Sequence, residues 1–228
     1  MSNPDLEPPL NPLPPVVMAL FVVMMGVEAV FSLGAYGLVG GPEAVGWRQA
    51  AIEDYGFNAD VMAWMVENSR WPVEHLMRLV TYPFVNGSFT GALFAGVMLL
   101  AMGKFVGEIF SQGAVLAVFV ISSLVGALAY WAIGPGQPWL IGGFPPVYGL
   151  IGAFTYLLWL KLGQVGAQQY RAFTLIGFLM GIQLVFGLIF GANAYWVADV
   201  GGFVAGFLSS FVLSPGGFAK LREKLRHR

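Results

Sequence analysis

Two carboxylic acids, Glu28 and Asp199, lie within long apolar stretches and are the first candidates for chemistry. A carboxyl group in a membrane-spanning segment is costly and usually faces the interior of the helix bundle. Three roles are open for Asp199: a buried hydrogen bond to Tyr148, Asn86 or a backbone group, the binding of a client or ion, or catalysis. Catalysis by paired aspartates is disfavoured, because the apolar stretches contain only this aspartate.

Glu28 also has alternative roles. It is either a second acid on a proton path with Asp199, or a side chain that snorkels to the interface or pairs with another helix. Pairing is favoured over the path.

Thiol and imidazole chemistry is almost excluded. The chain has no cysteine, which rules out disulfides, thiolate catalysis and cysteine-based metal sites. Its two histidines are His75, at the outer edge of a predicted span, and His227, in the C-terminal tail. We predict neither a cofactor nor a metal site.

Composition places these residues in a helical membrane protein. Of 228 residues, 57% are apolar and 10% are charged, and the mean hydropathy is +0.74. Several apolar runs exceed the roughly 18 residues that indicate a membrane span. The runs are continuous rather than alternating, which favours an all-α polytopic bundle over a β-barrel. A net charge of −1 gives no indication of nucleic-acid binding.

The apolar runs predict six spans. Their approximate ranges are 16–40, 79–103, 113–133, 145–160, 172–190 and 195–213. The membrane domain then covers 16–213, between a proline-rich disordered tail (1–15) and a basic tail (214–228).

An even number of spans places both termini on one side. With the termini in the cytoplasm, eight basic residues lie inside and three outside, as the positive-inside bias requires. The inner set is Lys104, Lys161, Arg171, Lys220, Arg222, Lys224, Arg226 and Arg228, and the outer set is Arg48, Arg70 and Arg78. We predict a bacterial cytoplasmic membrane, with a basic tail that favours anionic lipid.

The first loop, residues 41–72, mixes charges with aromatic residues. It predicts short amphipathic helices at the membrane surface, and a solvated loop is an equal alternative for 52–59. Its aromatic side chains suited to the headgroup level are Trp47, Tyr55, Trp64 and Trp71.

Glycines recur four residues apart in the last two spans, a spacing that lets helix backbones approach closely. The pairs are Gly177 and Gly181, Gly187 and Gly191, and Gly202 and Gly206. Residues 191–194 predict a tight turn between these spans.

Residues 141–154 hold two prolines at the start of the fourth span. Pro145 and Pro146 suit a first helical turn, where their missing N–H groups are not needed. Gly149 and Gly152 follow and permit close helix contact.

Over roughly residues 16–213 the sequence resembles the rhomboid family. Arg78-Leu79-Val80-Thr81 is similar to the family's Arg-x-x-Thr opening of the second span. Gly142 through Gly149, with Leu150 and Gly152, resembles the segment around the catalytic serine. Gly201, Gly202 and Gly206 resemble the glycine stripe that follows the catalytic histidine.

The resemblance implies a serine–histidine dyad with an oxyanion hole on the second span, and hence intramembrane proteolysis. In this chain the nucleophile position is Phe144 and the base position is Asp199. The family's second-span His, His and Asn fall on Asn86, Gly91 and Ala95. All five depart from the protease pattern.

A shift in register does not restore the nucleophile, because residues 134–154 contain no Ser or Thr. The sequence therefore predicts a rhomboid pseudoprotease. Phe144 is expected to fill the cavity that active members keep polar. Arg78 is expected to anchor the first loop by bonding backbone carbonyls.

The resemblance implies a binding function, since inactive rhomboids hold transmembrane helices of client proteins and affect their assembly or turnover. The predicted partners are a membrane-protein client and the lipid bilayer, with the oligomeric state left open. Two alternatives stand beside this hypothesis: an active rhomboid-type serine protease, and a proton- or ion-coupled carrier that uses Glu28 and Asp199.

Overall fold

The computed structural model describes residues 12–133, 139–190 and 194–215. Most of the predicted N-terminal tail, the link at 134–138, residues 191–193 of the predicted tight turn and the basic tail from 216, with His227, lie outside the described residues. Gly191 is among these residues.

The described chain is helical, as the composition predicts, with one pair of two-residue strands that the sequence did not indicate. In chain order the elements are α1 (Pro15–Ala35), a 3₁₀ turn (Pro42–Gly46), α2 (Trp47–Tyr55), β1 (Phe57–Asn58), α3 (Ala59–Asn68), α4 (Val73–Leu76), α5 (Arg78–Thr81), a 3₁₀ turn (Tyr82–Phe84), α6 (Phe89–Gly107), α7 (Gln112–Ile133), β2 (Trp139–Leu140), α8 (Phe144–Gln164), a 3₁₀ turn (Gln169–Phe173), α9 (Thr174–Phe190) and α10 (Tyr195–Leu213).

Four of the described helices are long and apolar enough to cross a membrane: α1, α6, α7 and α10. The other two predicted spans are also helical, α8 with 21 residues and α9 with 17 residues, but they are not among these four.

Two predicted helix ends are wrong by five residues or more. Helix α1 ends at Ala35 rather than near residue 40, because Gly37 and Gly40 adopt positive φ angles of 69° and 81°. Helix α6 begins at Phe89 rather than near 79, where the Ser88 side chain accepts the Gly91 N–H and caps the helix. The ten preceding residues form α5, a 3₁₀ turn and a short loop.

The first loop is more ordered than the solvated-loop alternative for 52–59. Helix α2 continues to Tyr55, and β1 pairs antiparallel with β2, with Phe57 opposite Leu140. The Asn58 side chain then caps α3 by accepting the Asp60 N–H at 2.9 Å. The loop is thereby tied to the chain that leads into α8.

Trp47 packs against the end of α1 and the turn that follows it. It is partly buried, and its indole ring lies so close to Gly34 and Gly40 that a side chain at either position would meet the ring. Tyr55, Trp64 and Trp71 are exposed at 48%, 42% and 51%, which suits the interfacial position predicted for them.

Helix α8 is the centre of the bundle and packs against α6, α7 and α10. Every residue from 145 to 153 is buried. Its contact with α10 depends on glycine: a Cβ at Gly206 would overlap the Gly149 backbone, and one at Gly202 would overlap the Pro145 carbonyl. Small residues allow this backbone approach.

The other described glycine pair behaves differently. Gly177 and Gly181 on α9 are exposed, with nothing within 4 Å of an added Cβ. Among the described residues no helix makes the close contact predicted for them, because α9 packs inward through partly buried large side chains such as Leu179 and Met180. Only the backbone of Gly187 is described.

Candidate functional site

The site is built around the N-terminus of α8. Gly142 has φ +94°, a conformation that favours glycine, and its N–H donates to the Tyr82 carbonyl at 3.1 Å. Phe144 is the first residue of α8. Its side chain is partly buried and packs against the main apolar cluster. Pro145 follows in the first turn, where a missing N–H costs nothing.

Asn86 lies beside this turn and is 2% exposed. A Cβ added at Gly142 would lie 3.3 Å from Asn86 Oδ1. Asn86 Nδ2 is buried and has no hydrogen-bond partner among the described residues. Helix α6 is capped by Ser88, two residues further on, so Asn86 is not its N-cap.

Asp199 lies in the first half of α10 and is 4% exposed. Its Oδ2 accepts a 2.8 Å hydrogen bond from Nε2 of Gln183 on α9. The predicted partners Tyr148, Asn86 and a backbone group are therefore wrong. The Tyr148 hydroxyl makes no hydrogen bond to Asp199, and the Tyr82 hydroxyl donates to the Ser123 carbonyl at 3.0 Å.

Sequence reasoning missed Gln183. A signal was available, because Gln183 is the only amide side chain in the apolar sequence of α9. A lone amide in a membrane helix is expected to find a polar partner. The sequence cannot identify that partner, because the contact joins residues 16 apart on two helices.

Glu28 is fully buried and belongs to a second polar cluster. Both of its oxygens accept from Arg48 of α2, at 2.8 and 2.6 Å, and Ser32 Oγ donates to it at 2.9 Å. Arg48 also donates to the Asn86 carbonyl at 2.6 Å and lies 5.5 Å from the ring centroid of Phe31. The pairing favoured from the sequence is present, with a surface helix as the partner.

The two clusters remain separate. No hydrogen bond or ion pair between described residues joins Glu28 to Asp199. No group of three metal-ligating side chains is found in the described part of the chain.

The remaining protease positions on α6 carry no side-chain donor. Gly91 is partly exposed and its N–H is bonded to Ser88 Oγ at 3.1 Å. Ala95 is fully buried in the main apolar cluster. These two positions therefore add no polar side chain to the site.

Arg78 and Thr81 hold the first loop in different ways. The Arg78 guanidinium lies 5.9 Å from the ring centroid of Trp139, and its buried Nε has no partner among the described residues. The predicted bonds to backbone carbonyls are wrong, since a cation–π contact takes their place. Thr81 Oγ1 donates to the Tyr55 carbonyl at 2.9 Å.

The side chains at the α8 N-terminus are hydrogen-bond acceptors and an apolar ring. Phe144 has no nucleophilic atom. The nearby Ser122 hydroxyl is fully buried against Gly149 and has no partner among the described residues. Asp199 has Gln183 as its hydrogen-bond partner, not a hydroxyl.

The profile of a protein family described as Rhomboid domain matches residues 73–216, from α4 to just beyond α10. No curated protein matches the chain.

Proposed function

The chain belongs to the rhomboid family, and from this premise we propose that it is a catalytically inactive member that binds transmembrane segments of client membrane proteins. Through that binding it affects the assembly, stability or turnover of its clients. The family match and the apolar helices make it an integral membrane protein.

The observation that carries the proposal is which residues lie at and around the α8 N-terminus. The bundle of α7, α8 and α10 is tightly packed, yet Phe144 fills the position that resembles the nucleophile's. Asp199 occupies the base position and is bonded to Gln183. A scaffold that is retained without its reactive groups supports a binding role.

The energetics of the missing chemistry point the same way. Loss of one oxyanion donor alone costs about 10²–10³ in rate, and loss of the nucleophile or base costs several orders of magnitude more. Here the nucleophile, the base and the second-span donors are replaced together, by Phe144, Asp199, Asn86, Gly91 and Ala95.

Helix α9 offers a surface for a client helix. Gly177 and Gly181 form an uncovered small-residue face, flanked by Phe178 and Ile182, which are 66% and 41% exposed. Small residues four apart are the usual contact for a second membrane helix. The close backbone contacts of α9 are with the 3₁₀ turn that precedes it, so the helix is less constrained than α8 or α10.

The proposal includes the topology on which client access depends. We place six spans in a bacterial cytoplasmic membrane, with α8 and α9 as the fourth and fifth and both termini in the cytoplasm. The membrane domain is 16–213, between tails at 1–15 and 214–228, and the partners are a client helix and the bilayer.

Site-specific photocrosslinking in the native membrane tests client binding. A photoreactive residue replaces Phe178 or Ile182 on α9, or Phe94 on α6, which is 63% exposed. Leu208 of α10 and Val22 of α1, each 58% exposed, are matched control positions. We expect one membrane protein to be captured from α9 or α6 but not from the controls, and its abundance to change when the gene is deleted. Equal capture from all positions, or no enriched partner, would refute client binding.

The two alternatives make contrary predictions. An active protease would label with a fluorophosphonate probe. A carrier would show a proteoliposome flux that Asp199→Asn and Glu28→Gln both abolish, although the Glu28 charge is neutralised by Arg48. Either result would replace the binding proposal.

A further inference from the structure

We propose that the Gln183–Asp199 pair is a specificity site, which selects client transmembrane segments that carry a hydrogen-bond-donating side chain, an amide or a lysine. This inference rests on the proposed function and names the class of segment that is bound. The site lies between the middle of α9 and the first half of α10.

The pair has two acceptor oxygens that make no hydrogen bond among the described residues. One hydrogen bond, from Gln183 Nε2 to Asp199 Oδ2 at 2.8 Å, uses one acceptor. Gln183 Oε1 is buried and has no partner among the described residues. Asp199 Oδ1 likewise has no hydrogen bond within the described part of the chain. Two neighbouring side chains thus each offer an unused oxygen.

The surroundings do not satisfy these oxygens. Asp199 is 4% exposed, and the one ion pair among the described residues is Arg48 with Glu28, so Asp199 has no cationic partner there. An unpaired polar group in an apolar environment carries a substantial free-energy cost, and acidic groups in membrane helices are normally paired. A donor supplied by a second helix would remove that cost.

The geometry also fits entry of a helix. Gln183 lies two residues beyond Gly181, about 200° further around α9, so its side chain points away from the Gly177–Gly181 face and towards α10. Close backbone contacts between α9 and α10 are few among the described residues, so a segment that enters between these two helices reaches Gln183 without crossing the tightly packed α8–α10 contact. Acceptors on both members favour a group with several N–H donors, which amides and ammonium groups provide.

The test uses the full chain, purified and reconstituted in phosphatidylcholine vesicles. The probes are synthetic leucine-based peptides of about 24 residues, long enough to span the bilayer, with one central Gln, Lys or Leu. Energy transfer from a fluorophore attached at Tyr170→Cys, a position 70% exposed in the 3₁₀ turn before α9, to a labelled peptide reports binding. The guest residue is moved along the peptide to find the matching depth. We expect the Gln and Lys peptides to bind about three- to tenfold more tightly than the Leu peptide at one depth.

Variants test whether the preference for Gln and Lys peptides depends on the Gln183–Asp199 pair. Asp199→Leu should abolish it while leaving the Leu peptide unaffected, and Gln183→Leu should reduce it. Because Asp199→Leu risks misfolding, Asp199→Asn is the second variant: it keeps an oxygen acceptor, so it should retain the preference for Gln and lose that for Lys. Thr174→Val is the control on the same helix, since the Thr174 hydroxyl bonds only the nearby Arg171 carbonyl, and the full preference should remain.

The outcomes separate this inference from the one it rests on. Equal binding of the three peptides, or a preference that survives Asp199→Leu, overturns the specificity site and leaves client binding standing. Absence of binding by every peptide overturns both.

Discussion

Arg48 and Glu28 form a two-oxygen ion pair that joins the surface helix α2 to the transmembrane helix α1. The Glu28 side chain is fully buried and that of Arg48 is 21% exposed, with N–O distances of 2.8 and 2.6 Å. Because Arg48 also donates to the Asn86 carbonyl, it connects the first loop to the chain beside the α8 N-terminus.

Removal of one partner of this pair should destabilise the fold. Arg48→Leu leaves a buried carboxylate with the Ser32 hydroxyl but no cationic partner, which we expect to cost about 3 kcal/mol. The unfolding midpoint of the full chain in detergent micelles measures the loss. Glu28→Leu/Arg48→Leu should recover most of it, because two apolar side chains need no partner. Arg70→Leu is the control, since Arg70 is exposed, and a midpoint as low as that of Arg48→Leu would contradict the role of the pair.

The two glycine faces make a matched pair of substitutions. Gly206→Ala places a methyl group against the Gly149 backbone and should destabilise by about 1–3 kcal/mol. Gly181→Ala adds the same group where nothing lies within 4 Å, so it should be neutral or slightly stabilising through helix propensity. The comparison is again of unfolding midpoints. Equal losses for the two variants would contradict the close α8–α10 packing.

The sequence predicts the helices of this fold well where apolar runs are long and uninterrupted. The predicted range 195–213 coincides with α10, and 113–133 differs from α7 by one residue. It predicts α6 poorly, because residues 79–88 are apolar enough to extend a span. The Ser88 cap and the 3₁₀ turn that contains Pro83 decide the helix start instead.

The partners of the buried polar groups cannot be predicted from the sequence. Hydropathy shows that Glu28 and Asp199 need partners, but not that these are Arg48 and Gln183, because both contacts depend on how separate helices are placed. The glycine spacing has the same limit: the pattern of Gly177 and Gly181 equals that of Gly202 and Gly206, yet only the second pair touches another helix.

The proposed loss of catalysis has a direct measurement. A fluorophosphonate probe should label no serine, and a model transmembrane substrate should remain intact in vesicles where an active rhomboid protease cleaves it. Phe144→Ser should remain at background, because Asp199 is committed to Gln183 and Gly91 and Ala95 supply no side-chain donor. Serine labelling of the wild-type chain would show that another residue acts as the nucleophile.

The six-span topology can be tested by labelling, because the chain has no native cysteine. Single cysteines replace Glu67 in the first loop, Gly166 between α8 and α9, and Glu108 between α6 and α7. An impermeant maleimide added to intact spheroplasts should modify position 67 alone, and positions 108 and 166 only after the membrane is opened. Glu67 and Gly166 are both exposed, so neither is shielded by the fold.

The labelling pattern depends on whether α8 and α9 both cross the membrane. If they do not, either their common loop no longer lies on the same side as position 108, or the C-terminus changes sides. Labelling of position 166 from outside would therefore exclude the six-span arrangement, because α8 must carry the chain from the outer face to the cytoplasm before α9 returns it.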